Sequence, residues 1–267
     1  MPGFLDEVLA AVRDDLAAGR YRLASSTDGR TPPSLARAIE RERDRGALVA
    51  EFKRVSPGAA SPELPTRDVG DFLARVPANA VAGYSCLATR HRFRGSVDDV
   101  ARLSVETSAP VLFKDFVVDL AQIDAAARAG AAAVLLLARL EAERRLRTPL
   151  SALARAARDR GLEVVLELHR PEEFKTVETV RPDVWGVNVR DLDNLRIERE
   201  VVGATFRQLD DVAEPVLGLS GVEGREEAIA FYEAGADGIL VGSALARSTD
   251  PARFLDGLRR PPGGQRP

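Results

Sequence analysis

Lysine is nearly missing from this chain. Of its 38 basic residues only three are lysine: Lys53, Lys114 and Lys175. Arginine has taken almost every place that arginine can fill, so the survivors mark positions where it does not serve. Arginine stays protonated at any ordinary pH, whereas a desolvated lysine can give up its proton near neutrality. Lys53 and Lys114 each close a short apolar run beside acids, in Glu51-Phe52-Lys53-Arg54 and Leu112-Phe113-Lys114-Asp115-Phe116. Both are candidates for proton transfer or for holding an anion. Lys175 lies on an amphipathic stretch and reads as helix surface.

Other scarcities exclude whole classes. The single cysteine, Cys86, makes no internal disulfide and sits in an apolar run, as a small core residue does. Two distant histidines, His91 and His169, with one cysteine make a dedicated zinc site improbable, so no metal is expected. No apolar run approaches the roughly 20 residues of a membrane helix. Met1 to Glu7 lack a basic region followed by a long apolar one, so no signal peptide is expected. Net charge is −3, and no basic stripe interleaves with aromatics, which argues against nucleic acid as partner. A cytoplasmic protein is expected.

What is present is rhythm. Phe4, Leu5, Val8, Leu9, Val12 and Leu16 recur at helical spacing, and Ser34 reads as the N-cap of a helix over 35–45. From Ala47 onward, apolar runs alternate with amphipathic stretches. The strands predicted are 48–52, 80–87, 111–114, 132–137, 163–168, 184–189, 215–219 and 238–241. Helices are predicted over 66–75, 97–107, 120–129, 141–160, 171–180, 202–209, 226–234 and 251–258. Eight strands, apolar throughout and each followed by a helix, predict a single (β/α)8 TIM barrel. A doubly wound sheet is the runner-up, but the glycine fingerprint after its first strand is missing. The expected organisation is a helical extension over 1–46, a barrel over 47–258 and a disordered tail over 259–267.

In such a barrel the active site lies at the carboxyl ends of the strands. Those ends carry Glu51 and Lys53, Lys114, Glu167, and Asn188 with Arg190 just beyond. A spacing of two puts Glu51 and Lys53 on one face. Each residue alone has a structural explanation. Together they are harder to dismiss, because buried ionisable groups are costly unless paired or used. Ser220-Gly221 and Gly242-Ser243 follow the seventh and eighth strands, where this fold binds phosphate, and Arg190 could add a charged fork. Two lysines and two carboxylates suit proton transfer. Schiff-base formation by Lys53 or Lys114 is equally open.

Glu51-Phe52-Lys53-Arg54-Val55-Ser56-Pro57, Lys114-Asp115-Phe116, Glu167, Trp185-Gly186-Val187-Asn188-Val189-Arg190-Asp191-Leu192, Ser220-Gly221-Val222 and Val241-Gly242-Ser243 together resemble indole-3-glycerol phosphate synthase. The resemblance implies a cofactor-free carboxy-lyase of tryptophan biosynthesis, acting on 1-(2-carboxyphenylamino)-1-deoxyribulose 5-phosphate by ring closure, decarboxylation and dehydration. It implies Lys114 as general acid on the carbonyl and Glu167 as acid/base in the dehydration. Lys53 would bind the substrate carboxylate, with Glu51 and Asn188 holding lysines and hydroxyls. Ser56, Arg190, Ser220, Gly221, Gly242 and Ser243 would surround substrate and phosphate, and Phe93 and Phe116 would wall the aromatic ring. The extra amino-terminal helices would cap the barrel mouth. The expected partner is a small phosphorylated molecule, and the expected state a monomer or weak homodimer.

The chain also departs from that family's usual pattern. Leu219 stands where a glutamate is usual, Gly58-Ala59-Ala60 follows Ser56-Pro57, and the Phe-Gly-Gly loop reads Phe93-Arg94-Gly95. Three rivals therefore stay open: a paralogue for a related phosphorylated substrate, another isomerase or lyase on the same frame, and a phosphate-metabolite binder without turnover.

Overall fold

The computed structural model describes residues 3–22, 29–59 and 61–261. Eight parallel strands close on themselves in chain order: β1 (Ala47–Phe52), β2 (Gly83–Leu87), β3 (Val111–Lys114), β4 (Ala133–Leu137), β5 (Glu163–Leu168), β6 (Val184–Asn188), β7 (Val216–Leu219) and β8 (Gly238–Val241). Pairing of Ala47 with Gly238 through Ala50 with Val241 makes the closure. The helices are α1 (Phe4–Ala17), α2 (Leu35–Glu42), α3 (Val69–Arg75), α4 (Val97–Glu106), α5 (Leu120–Arg128), α6 (Ala138–Ala142), α7 (Leu150–Asp159), α8 (Pro171–Val177), α9 (Val202–Arg207), α10 (Arg225–Glu233), α11 (Ser243–Arg247) and α12 (Pro251–Gly257). The (β/α)8 barrel is thus the fold.

Alternation along the strands sorts side chains into two cores. Val49, Leu112, Leu135, Val165, Leu217 and Leu240 belong to the cluster filling the cylinder. Leu48, Phe52, Phe113, Leu136, Leu166 and Ile239 pack outward against the helices. The inward register continues upward from Val49 to Glu51, from Leu112 to Lys114 and from Val165 to Glu167. The polar strand ends therefore top the same column that the apolar residues fill below.

Four expectations need correction. The helix predicted over 141–160 is two, because the chain turns through a left-handed Arg144 (φ 53°) and restarts behind Pro149. The second strand begins at Gly83, since Ala78–Ala80 form a 3-10 turn. Only α1 covers the mouth. It is latched there by Glu7 to Arg92 (2.7 Å), by Asp15 to Arg90 (2.8 Å) and by an Asp6–Arg145 ion pair. Helix α2 closes the opposite end, where Leu35 N and Ala36 N donate to Glu163 Oε2 at 2.8 and 3.0 Å and the Ser34 hydroxyl donates to Oε1. Finally, Arg259 and Arg260 are tied down: Arg259 pairs with Glu42 at 2.7 Å, and Arg260 N donates to Arg45 O at 2.9 Å. The rest of the expected tail, 262–267, lies outside the described residues, as do 1–2 and 23–28 of the extension.

Candidate active site

The site grows from β1. Glu51, 3% exposed, shares its carboxylate between two ammonium groups: Lys53 Nζ lies 2.6 Å from Oε2, and Lys114 Nζ lies 3.0 Å from Oε1. Burial opposes charge on all three groups. At Glu51 the two ammoniums, Lys114 foremost, outweigh burial and hold the carboxyl at about 2. The lysines diverge. Burial takes Lys53 below the ordinary lysine value, with Lys114 and Arg190 adding to the effect against the pull of Glu51. Lys114 suffers the same desolvation, but it faces Glu167 as well as Glu51, and its proton is held above the ordinary value. The direction follows the count of carboxylates each ammonium faces.

Glu167 ends β5 at 4% exposure. Burial raises its carboxyl above the usual range, only partly offset by Lys114 and by the Asn188 amide. Asn188 Nδ2 donates to Glu167 Oε1 at 2.8 Å, while Asn188 Oδ1 accepts from Arg190 N at 2.9 Å. Glu167 Oε2 is buried without a hydrogen-bond partner among the described residues. One oxygen is thus oriented and the other is left for a ligand.

Behind Lys114, Asp115 is turned away into a buried network. It accepts from Tyr21 Oη at 2.7 Å, Thr89 Oγ1 at 2.5 Å, Phe116 N at 2.8 Å and Gln122 Nε2 at 3.2 Å. This fixes the backbone between Lys114 and Phe116, and neither Tyr21 nor Gln122 carries a local sequence signal of that role.

The far rim is built from missing side chains. Ser220 and Gly221 follow β7 with φ 65° and 70°. A Cβ on Gly242 would stand 2.5 Å from Glu51 Oε2, so only glycine lets the turn after β8 approach the carboxylate. Ser243 Oγ donates to Ser56 Oγ at 2.8 Å, joining the β8 and β1 turns. Arg190 is half-buried and anchored by Nη1 to Leu195 O at 2.7 Å; burial lowers its proton affinity.

Glu51, Lys53, Ser56, Lys114, Glu167, Asn188, Arg190, Ser220, Gly221, Gly242 and Ser243 line one cleft, and so do Phe93 and Phe116. Every residue predicted at the site from sequence is brought there. Sequence reasoning missed Phe4, Pro57, Leu137, Leu192 and Leu195, which also line it. Phe4 extends the aromatic wall from α1, edge-on to Phe93 at 6.1 Å, and Phe93 lies 6.2 Å from Phe116. Leu219 does not line the cleft. It is fully buried inside the barrel, its Cδ1 only 2.7 Å from where a Cβ on residue 186 would sit. The carboxylate that the resemblance places there has no counterpart at that position.

Among the described residues, the one grouping of donor atoms close enough to share an ion is His169, Asp191 and Glu198. Arg170 lies 2.9 Å from Glu198 and Arg139 lies 3.5 Å from Asp191, so both carboxylates already have cations and the set is an ion-pair network. Also among the described residues, no helix is long and apolar enough to cross a membrane.

Solved structures share the fold. Orotidine 5'-monophosphate decarboxylase from Sulfolobus solfataricus superposes with a TM-score of 0.58 at 10% identity, covering 80% of this chain and 96% of that one. Thiamine phosphate pyrophosphorylase from Pyrococcus furiosus gives 0.54 at 18% identity, over 82% and 95%. Sequence relatives are nearer. The indole-3-glycerol phosphate synthase of Staphylococcus saprophyticus is 31% identical over 260 residues, 96% of each chain. That of Kineococcus radiotolerans is 35% identical over 268 residues, 95% of this chain and 94% of that one. The family profile described as indole-3-glycerol phosphate synthase matches residues 5–258, from α1 to the end of the barrel, and the chain therefore belongs to the indole-3-glycerol phosphate synthase family.

Proposed function

We propose that this chain is an indole-3-glycerol phosphate synthase that converts 1-(2-carboxyphenylamino)-1-deoxyribulose 5-phosphate to indole-3-glycerol phosphate, carbon dioxide and water. The observation that carries the reading is the Lys53–Glu51–Lys114 bridge beside the Asn188-held Glu167, in one cleft with the glycine-lined turns. Lys53, Lys114 and Arg190 supply the cleft's cationic heads for a ligand that carries a carboxylate and a phosphate, set among the carboxylates of Glu51, Glu167 and Glu223.

In this mechanism the ring carbon bearing the carboxylate attacks the ribulose carbonyl. The carbonyl oxygen, becoming a hydroxyl, takes its proton from Lys114. Lys53 holds the substrate carboxylate until the C–C bond to it breaks. Carbon dioxide then departs, and the bonding pair returns to the ring. Glu167 Oε2 gives a proton to the new hydroxyl, which leaves as water, and takes one from the neighbouring ring carbon, whose C–H pair becomes the ring double bond. Asn188 keeps the other Glu167 oxygen in place. Phe4, Phe93 and Phe116 wall the aromatic ring, and Ser56, Arg190 and the turns at Ser220-Gly221 and Gly242-Ser243 receive the phosphate. The overall reaction is redox-neutral, so it needs no electron carrier. Schiff-base formation needs a neutral amine, which works against Lys114, whose proton is held above the ordinary value.

The test is purified chain, treated with a chelator and given the substrate, followed by indole fluorescence. Product at a rate well above background is expected. No product, or covalent trapping at Lys53 or Lys114 by borohydride, would overturn the reading.

A further inference from the structure

Leu195 lines the cleft with a left-handed backbone, φ 61°. Glycine and asparagine adopt that conformation readily; a branched aliphatic residue does so only where its surroundings enforce it. The enforcement here is a tight hairpin over residues 190–197, closed by a bridge between Arg190 and Ile197. Asp191 Oδ1 accepts from Asp193 N at 2.8 Å and from Asn194 N at 2.9 Å. Leu195 N donates to Asp191 O at 3.0 Å, Arg196 N to Asn194 Oδ1 at 2.7 Å, and Asp191 N to Arg196 O at 2.9 Å. The hairpin tip rests on the β1 turn, where a Cβ on Gly58 would stand 3.0 Å from Leu195 Cβ. So held, Leu195 turns its carbonyl oxygen back across the hairpin, where it accepts from Arg190 Nη1 at 2.7 Å. Among the described residues this is the one hydrogen bond that the guanidinium makes.

We propose, building on the function above, that Leu195 is a positioning residue: its left-handed backbone presents the carbonyl that orients the Arg190 guanidinium toward the substrate phosphate.

Arginine is long and has many rotamers, so fixing it beforehand spares the ligand that ordering. One anchored nitrogen leaves the other N–H donors of the planar fork for phosphate, in the cleft that also holds the turns at Ser220-Gly221 and Gly242-Ser243. The anchor is neutral. A carboxylate in its place would compete with phosphate for the guanidinium, whereas a carbonyl fixes the group and leaves its charge unspent. The role belongs to the main chain of Leu195, so substitutions should rank by their tolerance of positive φ and not by their size.

The test is calorimetry of inorganic phosphate with the full chain. Arg190→Ala is expected to raise the phosphate Kd about 10-fold or more, which identifies the site being read. Leu195→Ile keeps the apolar bulk but is β-branched and resists positive φ, and it should raise Kd about 5-fold or more. Leu195→Asn gives up the apolar bulk but tolerates that backbone, and it should stay within about 2-fold of the parent. A packing role predicts the reverse order. Added to Arg190→Ala, Leu195→Ile should change Kd no further, because the carbonyl then has nothing to orient. In turnover, Leu195→Ile should raise KM about 5-fold with kcat within about 3-fold. Equal phosphate affinity in folded Leu195→Ile and Leu195→Asn proteins, the reverse order, or a full Leu195→Ile effect in the absence of Arg190 overturns the proposal. So does phosphate that fails to bind, or that binds regardless of Arg190→Ala. If Leu195→Ile does not fold, Leu195→Ala against Leu195→Gly poses the same question, since alanine resists positive φ and glycine does not; equal affinities then overturn it. Parent protein that shows this pattern with phosphate but no turnover would instead refute the proposed function and leave Leu195 in its role.

Discussion

Strand β5 carries two inward glutamates, one at each end of the barrel, and they have opposite fates. Glu163, at the closed end, is saturated: Ser34 Oγ, Leu35 N and Ala36 N all donate to it, so its charge caps the first turn of α2. Glu167, at the open end, receives one amide proton at Oε1 and, among the described residues, nothing at Oε2. Burial then raises its proton affinity. The same residue type on the same face is a fastener where its acceptors are filled and, in the proposed reaction, a proton carrier where one is withheld. Donor supply separates structure from chemistry here.

Perturbing the open end should cost activity, and perturbing the closed end should cost stability. The largest effect is expected from Lys114→Arg, which keeps a charge near Glu51 but supplies a poor acid. Turnover should fall about 1000-fold, and near-parental kcat would remove Lys114 from proton transfer. Next, Glu167→Gln should lower kcat about 100-fold with little change in KM. Its urea midpoint at pH 7 should be no lower than the parent's. Because the folded-state pKa of Glu167 is raised, its contribution is present below the ordinary carboxylate range and is lost as pH rises through the folded value, so the variant has nothing to lose there. Glu163→Gln should do the reverse, destabilising by about 1–2 kcal/mol in urea while kcat stays parental. A drop in kcat without a drop in stability would break the contrast between the two ends. The smallest effect concerns acid. The Glu51 pKa is depressed to about 2, so the stability it confers is whole above the ordinary carboxylate range and fades as pH falls toward that value. Urea midpoints measured from pH 5 downward should show the loss, and a rising series would contradict the bridge.

The open end was legible in the sequence and the closed end was not. Glu51, Lys53, Lys114, Glu167 and Asn188 stand at the ends of apolar runs, where a charge has no local excuse, and barrel geometry gathers strand ends automatically. Glu163 also opens an apolar run, but its partners lie 127 to 129 residues away, and nothing local says that α2 swings beneath the barrel. The same holds for Tyr21 on Asp115, and for Phe4, whose helical spacing puts it on the apolar face of α1 without saying beside what. The break between α6 and α7 did carry a signal in Pro149, overridden by the helix-forming run of charged residues and leucine before it.

Glu51 serves Lys53 and Lys114 with one carboxylate, and this shapes how the pocket receives a ligand. Each ammonium has three N–H donors and gives one of them to Glu51, so an arriving anion can take another without undoing the bridge. The shared carboxylate settles the rotamers of both lysines before a ligand meets them.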